Sequence, residues 1–333
     1  MDQITWVIAF QNLGLWLQPL MSFISTLGTE QFYLLVMPWI FWCVDATIGM
    51  QFALLLLISS ALNTYLKFIF HAPRPFWLDR RVQALTVETS FGIPSGHAQN
   101  AASLWGFGAV LARNKGIKWV IGLVILVIGL SRIYLGVHFI SDVLAGWLVG
   151  ALLLWAFLRL APCFSRWWGF LSMPRQLVFA AVSSVAIPVI GWGLAMAFRT
   201  WALPEEWVAI VQSKIGLIPL QPFSLDGLIT IAGTWLGALA GWIICTHRWG
   251  SYPSGGTLTQ RVLRYSIGLI GLGVFYAGLG MASGRFLSSL DGSSENLLGM
   301  VLRYFRYGIV GAWVTAGAPW IFKVLRLYGA KGG

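Results

Sequence analysis

A chain of 333 residues that is 58% hydrophobic and 10% charged, with a mean hydropathy of +0.76, is not a water-soluble globule; soluble domains carry roughly 25% charged residues. The net charge of +11 would suit nucleic acid, but the basic residues fall in short connections between apolar stretches, so no nucleic-acid partner is expected. Cys43, Cys163 and Cys245 are scattered without CxxC or His pairing, which argues against a disulfide framework and against a zinc site.

The N-terminus, MDQITWVIAF, lacks the basic stretch of a cleaved secretory signal, so the chain is expected to be mature and intact. In residues 3–28, Gln11, Gln18, Ser22 and Ser25 share one helical face against Trp6, Phe10, Leu13, Leu17 and Leu20. That pattern predicts an amphipathic interfacial helix, with a further span as the competing reading. A bilayer core needs about 20 apolar residues per helix. Nine stretches qualify, at approximately 31–47, 50–70, 98–112, 118–134, 139–159, 176–198, 227–246, 265–283 and 304–323. The expected architecture is therefore all-α: a polytopic membrane bundle of about nine transmembrane helices with the N-terminal interfacial helix. Nineteen tryptophans suit the two membrane–water interfaces. Glycine is frequent inside the stretches, as close helix packing in lipid favours.

The connections 112–118, 159–175 and 246–264, and the tail with Lys323, Arg326 and Lys331, carry Lys and Arg without a single acid. Every acid except Asp45 falls on the opposite side. By the positive-inside rule the basic connections and the C-terminus are cytoplasmic, and residues 71–97, 132–138, 199–226 and 284–303 face outward.

Three polar clusters interrupt the apolar text, all on that outward side. In KFIFHAPRP (67–75), Lys67 ends a span, and Pro73 and Pro75 hold Arg74 in an extended segment. In IPSGHAQNAASLWG (93–106), Ser95 and Gly96 sit where a helix begins, with N–H groups suited to an anion. In SRIYLGVHFISD (131–142), Gly136 and Val137 make a bend, Arg132 closes one helix, and His138 and Asp142 open the next on one face. Ionisable groups beside hydrocarbon are costly and mark a function by default. Three cations and a set of N–H donors match a phosphoryl group in charge and geometry. A neutral imidazole held by a carboxylate can attack phosphorus, the role open to His138 with Asp142; a second, His97, can protonate the departing oxygen. No ligand set for a metal is present, so no metal or other cofactor is expected. Taken singly, each residue has a plainer role: Lys67 a snorkelling helix end, Asp142 a helix cap, His97 and His138 interfacial histidines. Joint occurrence on one face outweighs those roles.

Lys67-x6-Arg74-Pro75, Pro94-Ser95-Gly96-His97 and Ser131-Arg132-x5-His138-x3-Asp142 together resemble the full three-part signature of the type 2 phosphatidic acid phosphatase family, which is related to vanadium-dependent haloperoxidases. The resemblance covers roughly residues 30–160. It implies a metal-independent membrane phosphatase that works through a phosphohistidine on His138, with Asp142 orienting it and His97 as general acid. It also implies phosphate binding by Lys67, Arg74, Ser95, Gly96 and Arg132. The layout is similar to the glucose-6-phosphatase and sphingosine-phosphate phosphatase branches, and LGTEQFYLL (27–35) leans toward the latter.

Residues 1–160 are thus expected to form the catalytic core, and 161–333 an extension of about four spans, open to packing, gating or homodimer formation. His71 and Asn100 are expected to be structural, and Trp77 is expected chiefly to pack. Glu205, Glu206 and Lys214 fall in an outer loop read as solvated. The expected substrate is an amphiphilic phosphate monoester or diphosphate taken from membrane lipid at the extracytoplasmic face. A soluble sugar phosphate is the second reading, and a non-hydrolytic phospholipid carrier the third.

Overall fold

A computed structural model of the chain describes residues 2–216, 219–250, 252, 254–287 and 295–328. The 288–294 part of the expected outer segment and Lys331 of the basic tail lie outside the described residues. Among the described residues the fold is helical, without a strand. Each of the nine apolar stretches contains a helix, but among the described residues six helices are long and apolar enough to cross a membrane: Ala46–Leu78, Lys115–Tyr134, Ile140–Gly169, Met173–Ala197, Asp226–Trp249 and Leu258–Phe286. The count of nine is not confirmed. The helix Glu30–Cys43 has only 14 residues and contains Pro38. The region Gly96–Leu111 is broken by a π-helical turn at Ala101–Trp105, and a comparable turn at Trp313–Gly317 interrupts the last stretch.

The N-terminal expectation of one amphipathic helix needs correction. Gln3–Gln11 and Leu15–Thr26 are bent by 80°, because Gly14 adopts φ +109° between them. The pair together is as long and apolar as a span, with the bend of a broken span or a re-entrant loop. Val7 and Gln11 are buried, and Gln11 Nε2 donates to the carbonyls of Gln83 (2.8 Å) and Tyr134 (3.2 Å). Of the polar face inferred from the spacing, Gln11 is therefore engaged in protein contacts.

The chain divides into two compact units. The first comprises Met1–Tyr33, Ile58–Ala161 and Gly191–Ser224. Its apolar core gathers Val7, Phe76, Trp77, Phe91, Tyr134, Val143 and Val211, so the 191–224 segment packs with the residues that precede 161. The second comprises Leu34–Leu57, Pro162–Ile190 and Leu225–Gly333, with Phe41, Trp42, Ala180, Ile243 and Phe322 in its core. Two features of the first unit place the site. Gly146 and Gly150 let the helix Ile140–Gly169 lie against residues 95–99, since a Cβ there would meet Ser95 O at 2.6 Å and Gln99 O at 2.4 Å. Gly136, at φ +77°, makes the tight turn that returns the chain beside Gln83.

Candidate active site

All three sequence clusters belong to the first unit, and polar contacts tie them together. The helix Ala46–Phe70 carries Lys67 in its last turn; Arg74 is then extended (φ −97°, ψ 158°), as expected, whereas Pro75 opens a short helix, Pro75–Leu78. Asn63 on that helix donates to Pro94 O (3.1 Å) and Gln99 Oε1 (2.9 Å), while Gln99 Nε2 donates to Ser59 O (2.8 Å). These bonds fix the start of the helix Gly96–Asn100 against Ala46–Phe70. Ser95 N–H donates to the Asp142 carbonyl at 2.9 Å, which joins the second cluster to the third. The N–H groups left over at this helix start therefore begin at Gly96.

Arg132 lies in the last turn of Lys115–Tyr134. His138 falls two residues before the helix Ile140–Gly169 rather than inside it, yet its Nδ1 still faces Asp142 Oδ2 at 3.4 Å. Asp142 Oδ2 also accepts from the Phe139 N–H at 2.9 Å, which holds the carboxylate in place. On the other side of the ring, Arg74 Nη1 approaches His138 Nε2 at 3.2 Å. A guanidinium can only donate, so Nε2 must accept, and the ring proton then sits on Nδ1 toward Asp142. Burial, with Arg74 and Arg132 next in effect, pushes the His138 imidazole well below its usual value. The ring is consequently neutral, with a lone pair on Nε2.

Arg74 is fully buried and heavily engaged. Its Nε donates to Ser90 O (2.6 Å), Nη1 to Val137 O (3.0 Å), and Nη2 to Phe91 O (3.0 Å) and Ser90 Oγ (3.1 Å). Glu88 belongs to none of the three sequence clusters, yet it accepts from Arg132 Nη2 at 2.7 Å and lies 3.5 Å from Arg74 Nη2. Burial pushes the Glu88 carboxyl up, but Arg74 and Arg132, with His97 and Lys67, outweigh burial and hold it well below the usual carboxylate range. Ser90 accepts from Lys67 Nζ at 3.0 Å, and Ser25 from Arg132 Nη1 at 2.7 Å. None of these partners carries a local sequence signal: Ser25 is 107 residues away from Arg132.

Lys67, Gly96, His97, Arg132 and His138 line one cavity of about 560 Å³, together with Glu30, Ser60, Asn63, Thr64, Glu88 and Asn100 among others. Arg74, Ser95 and Asp142 are buried behind that lining. Two buried polar atoms here have no protein partner, Arg132 Nε and Ser95 Oγ. Such atoms are costly unless something satisfies them, and an anion or its water would do so. Asn100, expected to be structural, does accept from Ser59 (2.7 Å) but also reaches the cavity. His71 stays structural, packed among Phe91, Phe198, Trp201 and Phe223. Trp77 is wholly buried and packs beside Phe91 and Trp207. Lys214 corrects the solvated-loop reading: it lies in the last turn of the helix Glu205–Ile215 and donates to the carbonyls of Phe76 (3.0 Å), Asp79 (2.6 Å) and Val82 (2.7 Å). It therefore pins the turn that follows Arg74. Among the described residues, no group of three or more His, Cys, Asp and Glu is placed to hold a metal ion.

Residues 48–166 match the model of the PAP2 superfamily, and residues 229–331 match that of the PAP2 superfamily phosphatase transmembrane extension. Phosphatidylglycerophosphatase B of Bacillus subtilis (strain 168) is 32% identical over 151 residues, which cover 41% of this chain and 72% of that protein. Glucose-6-phosphatase 3 of Homo sapiens is 26% identical over 61% of this chain and 66% of its own length. The crystal structure of a transmembrane PAP2-type phosphatidylglycerolphosphate phosphatase from Bacillus subtilis aligns at 26% identity with a TM-score of 0.41, covering 47% of this chain and 85% of that one. The chain belongs to the PAP2 superfamily. It is a multi-pass membrane phosphatase of that superfamily.

Proposed function

We propose that the protein hydrolyses an amphiphilic lipid phosphate at the extracytoplasmic face of its membrane, through a phosphohistidine on His138. One observation carries the reading: Lys67, His97, Arg132 and His138 line a single cavity, with two unpartnered polar atoms beside them. His138 Nε2 attacks phosphorus, the P–O ester bond breaks, and its electron pair leaves on the alcohol oxygen. His97, protonated, delivers the proton to that oxygen. A water then attacks the phosphohistidine, His97 accepts its proton, and the P–N bond breaks to free inorganic phosphate and restore His138. Burial, and then the positive charge of Arg132 and Lys67, disfavour a protonated His97 until a phosphate dianion enters, so binding itself arms the acid. Lys67, Arg132, Ser95 and the Gly96 N–H stabilise the equatorial oxygens during both transfers. Arg74 shares its charge with the phosphate while bracing Nε2, and Asp142 keeps the proton on Nδ1. The outward orientation rests on the basic connections, which favour the cytoplasmic side.

A lipid substrate is favoured by the membrane setting and by the relative that bears the name phosphatidylglycerophosphatase B. A soluble sugar phosphate remains the second reading, supported by the glucose-6-phosphatase relative and by the polar character of the cavity. Phosphate release by the purified protein, assayed across phosphatidylglycerol phosphate, phosphatidate, a polyprenyl diphosphate and glucose 6-phosphate, tests this. Turnover of the lipids well above that of the sugar phosphate is expected; release from the sugar phosphate alone would replace the lipid reading with the second one.

A further inference from the structure

The five signature residues that line the cavity account for only part of its wall. At about 560 Å³ the cavity falls in the range that holds a whole small ligand, roughly 300–1,000 Å³, and far exceeds a phosphoryl group. The remaining wall contains Glu30 at the start of the helix Glu30–Cys43, and Ser60, Asn63 and Thr64 along the inner face of Ala46–Phe70, with Thr29 and Thr86 nearby. Glu30 pairs with the Ser60 hydroxyl and feels the charges of Lys67 and Glu88. A carboxylate in a phosphate-binding cavity repels the phosphate, so anion binding alone gives no reason for it. The Glu30 carboxyl has acceptor sites beyond the one hydroxyl, and the side chain is exposed at the cavity wall, open to a donor carried by the substrate.

The geometry points to Glu30, with Ser60 and Thr64, as the subsite for the leaving alcohol, and to a substrate whose alcohol carries O–H or N–H donors close to the phosphate. This rests on the phosphatase reading and narrows it. A sphingoid-base phosphate, with an ammonium and a hydroxyl, or a glycerol phosphate headgroup with its free hydroxyl, meets the requirement. Phosphatidate and polyprenyl phosphates, whose alcohols bear no donor, leave Glu30 unmatched. A site built to hydrogen-bond a substrate group discriminates strongly against an analogue lacking it, because its own polar atoms are then stranded.

The test measures kcat/KM in mixed micelles for four substrates of matched chain length. Two carry donors, a sphingoid-base phosphate and phosphatidylglycerol phosphate; two do not, phosphatidate and an alkyl phosphate. Glucose 6-phosphate serves as a soluble donor-bearing arm. The full chain is expected to favour the donor-bearing lipids by about tenfold or more. Glu30→Leu should collapse that ratio by a similar factor, and Thr64→Val should lower it by less; thermal unfolding of each variant in detergent verifies the fold, and Thr64→Val carries the test should Glu30→Leu not fold. Glu30→Gln, which keeps an acceptor but loses the charge, should reduce the ammonium-bearing substrate more than the hydroxyl-bearing one. A ratio near one in the full chain, or variants that slow all four lipids alike, would overturn the subsite while leaving the phosphatase reading intact. Release from none of the five substrates would overturn both, and a preference for glucose 6-phosphate would keep the donor requirement but assign it to a soluble alcohol.

Discussion

The two compact units differ in how densely they bury polar side chains. The first buries Arg74, Ser95, Gln99, Asn100, Ser103, Ser131, Arg132, His138 and Asp142, and closes most of them into a hydrogen-bonded network. In the second, the helices Asp226–Trp249 and Glu295–Ala312 meet through glycine: a Cβ on Gly237 would lie 1.8 Å from Gly308 O, and one on Gly233 2.2 Å from Tyr304 O. Its polar contacts are dispersed, as where Ser184 donates to Ala232 O at 2.7 Å and Trp42 Nε1 to Val314 O at 2.8 Å. Close backbone packing suffices to hold helices together in lipid, where no hydrophobic gain separates a helix from the tails. Packing therefore does not require a dense buried polar network, and the presence of one in the first unit supports the proposal that the chemistry takes place there.

Substitutions in each unit sharpen that contrast. The largest effect is expected in the first. Arg132→Ala removes a cation from the cavity and leaves Glu88 with Arg74 as its remaining ion-pair partner, so kcat should fall by about 10²–10³, measured by phosphate release. A loss below about fivefold would remove Arg132 from the machinery. Gly237→Leu in the second unit should cost about 1–3 kcal/mol of stability through overpacking, read by thermal unfolding in detergent. The folded fraction should keep the wild-type turnover on a lipid phosphate; a large fall in its kcat would show that the two units do not divide these tasks. The smallest effect concerns acid. Native Glu88 stays ionised where the unfolded chain takes up a proton, at a pH of about 4.3. Its contribution is thus complete above that value and is lost as pH falls below it. Glu88→Gln should flatten the stability profile there, by at most about 1.4 kcal/mol per pH unit; an unchanged slope would contradict the ion pairs.

The sequence was informative wherever a residue's chemistry clashed with its neighbours. Lys67, Arg74, His97, Arg132, His138 and Asp142 stand out as ionisable groups beside apolar text, and all of them lie in one unit. Helix positions followed from hydropathy for the same reason. What stayed hidden depends on long-range pairing. Glu88 lies in a polar loop, TVETS, where an acid draws no notice, and only folding sets it between Arg74 and Arg132. Gln11 and Ser25 looked like one face of an amphipathic helix because spacing says nothing of the bend at Gly14. Lys214 read as solvated because its three acceptors are carbonyls of a turn more than 130 residues earlier. The single signal that was available for Glu30 was its place in LGTEQFYLL, at the head of an apolar stretch.

The most direct test of the central claim, that His138 is the nucleophile, is rapid acid-free quenching of the enzyme during turnover of a radiolabelled lipid phosphate, followed by mapping of the labelled peptide. Label on His138, stable in base and labile in acid, absent from His138→Ala and longer-lived in His97→Ala, is the expected result. Label on another residue, or turnover that persists in His138→Ala, would contradict it.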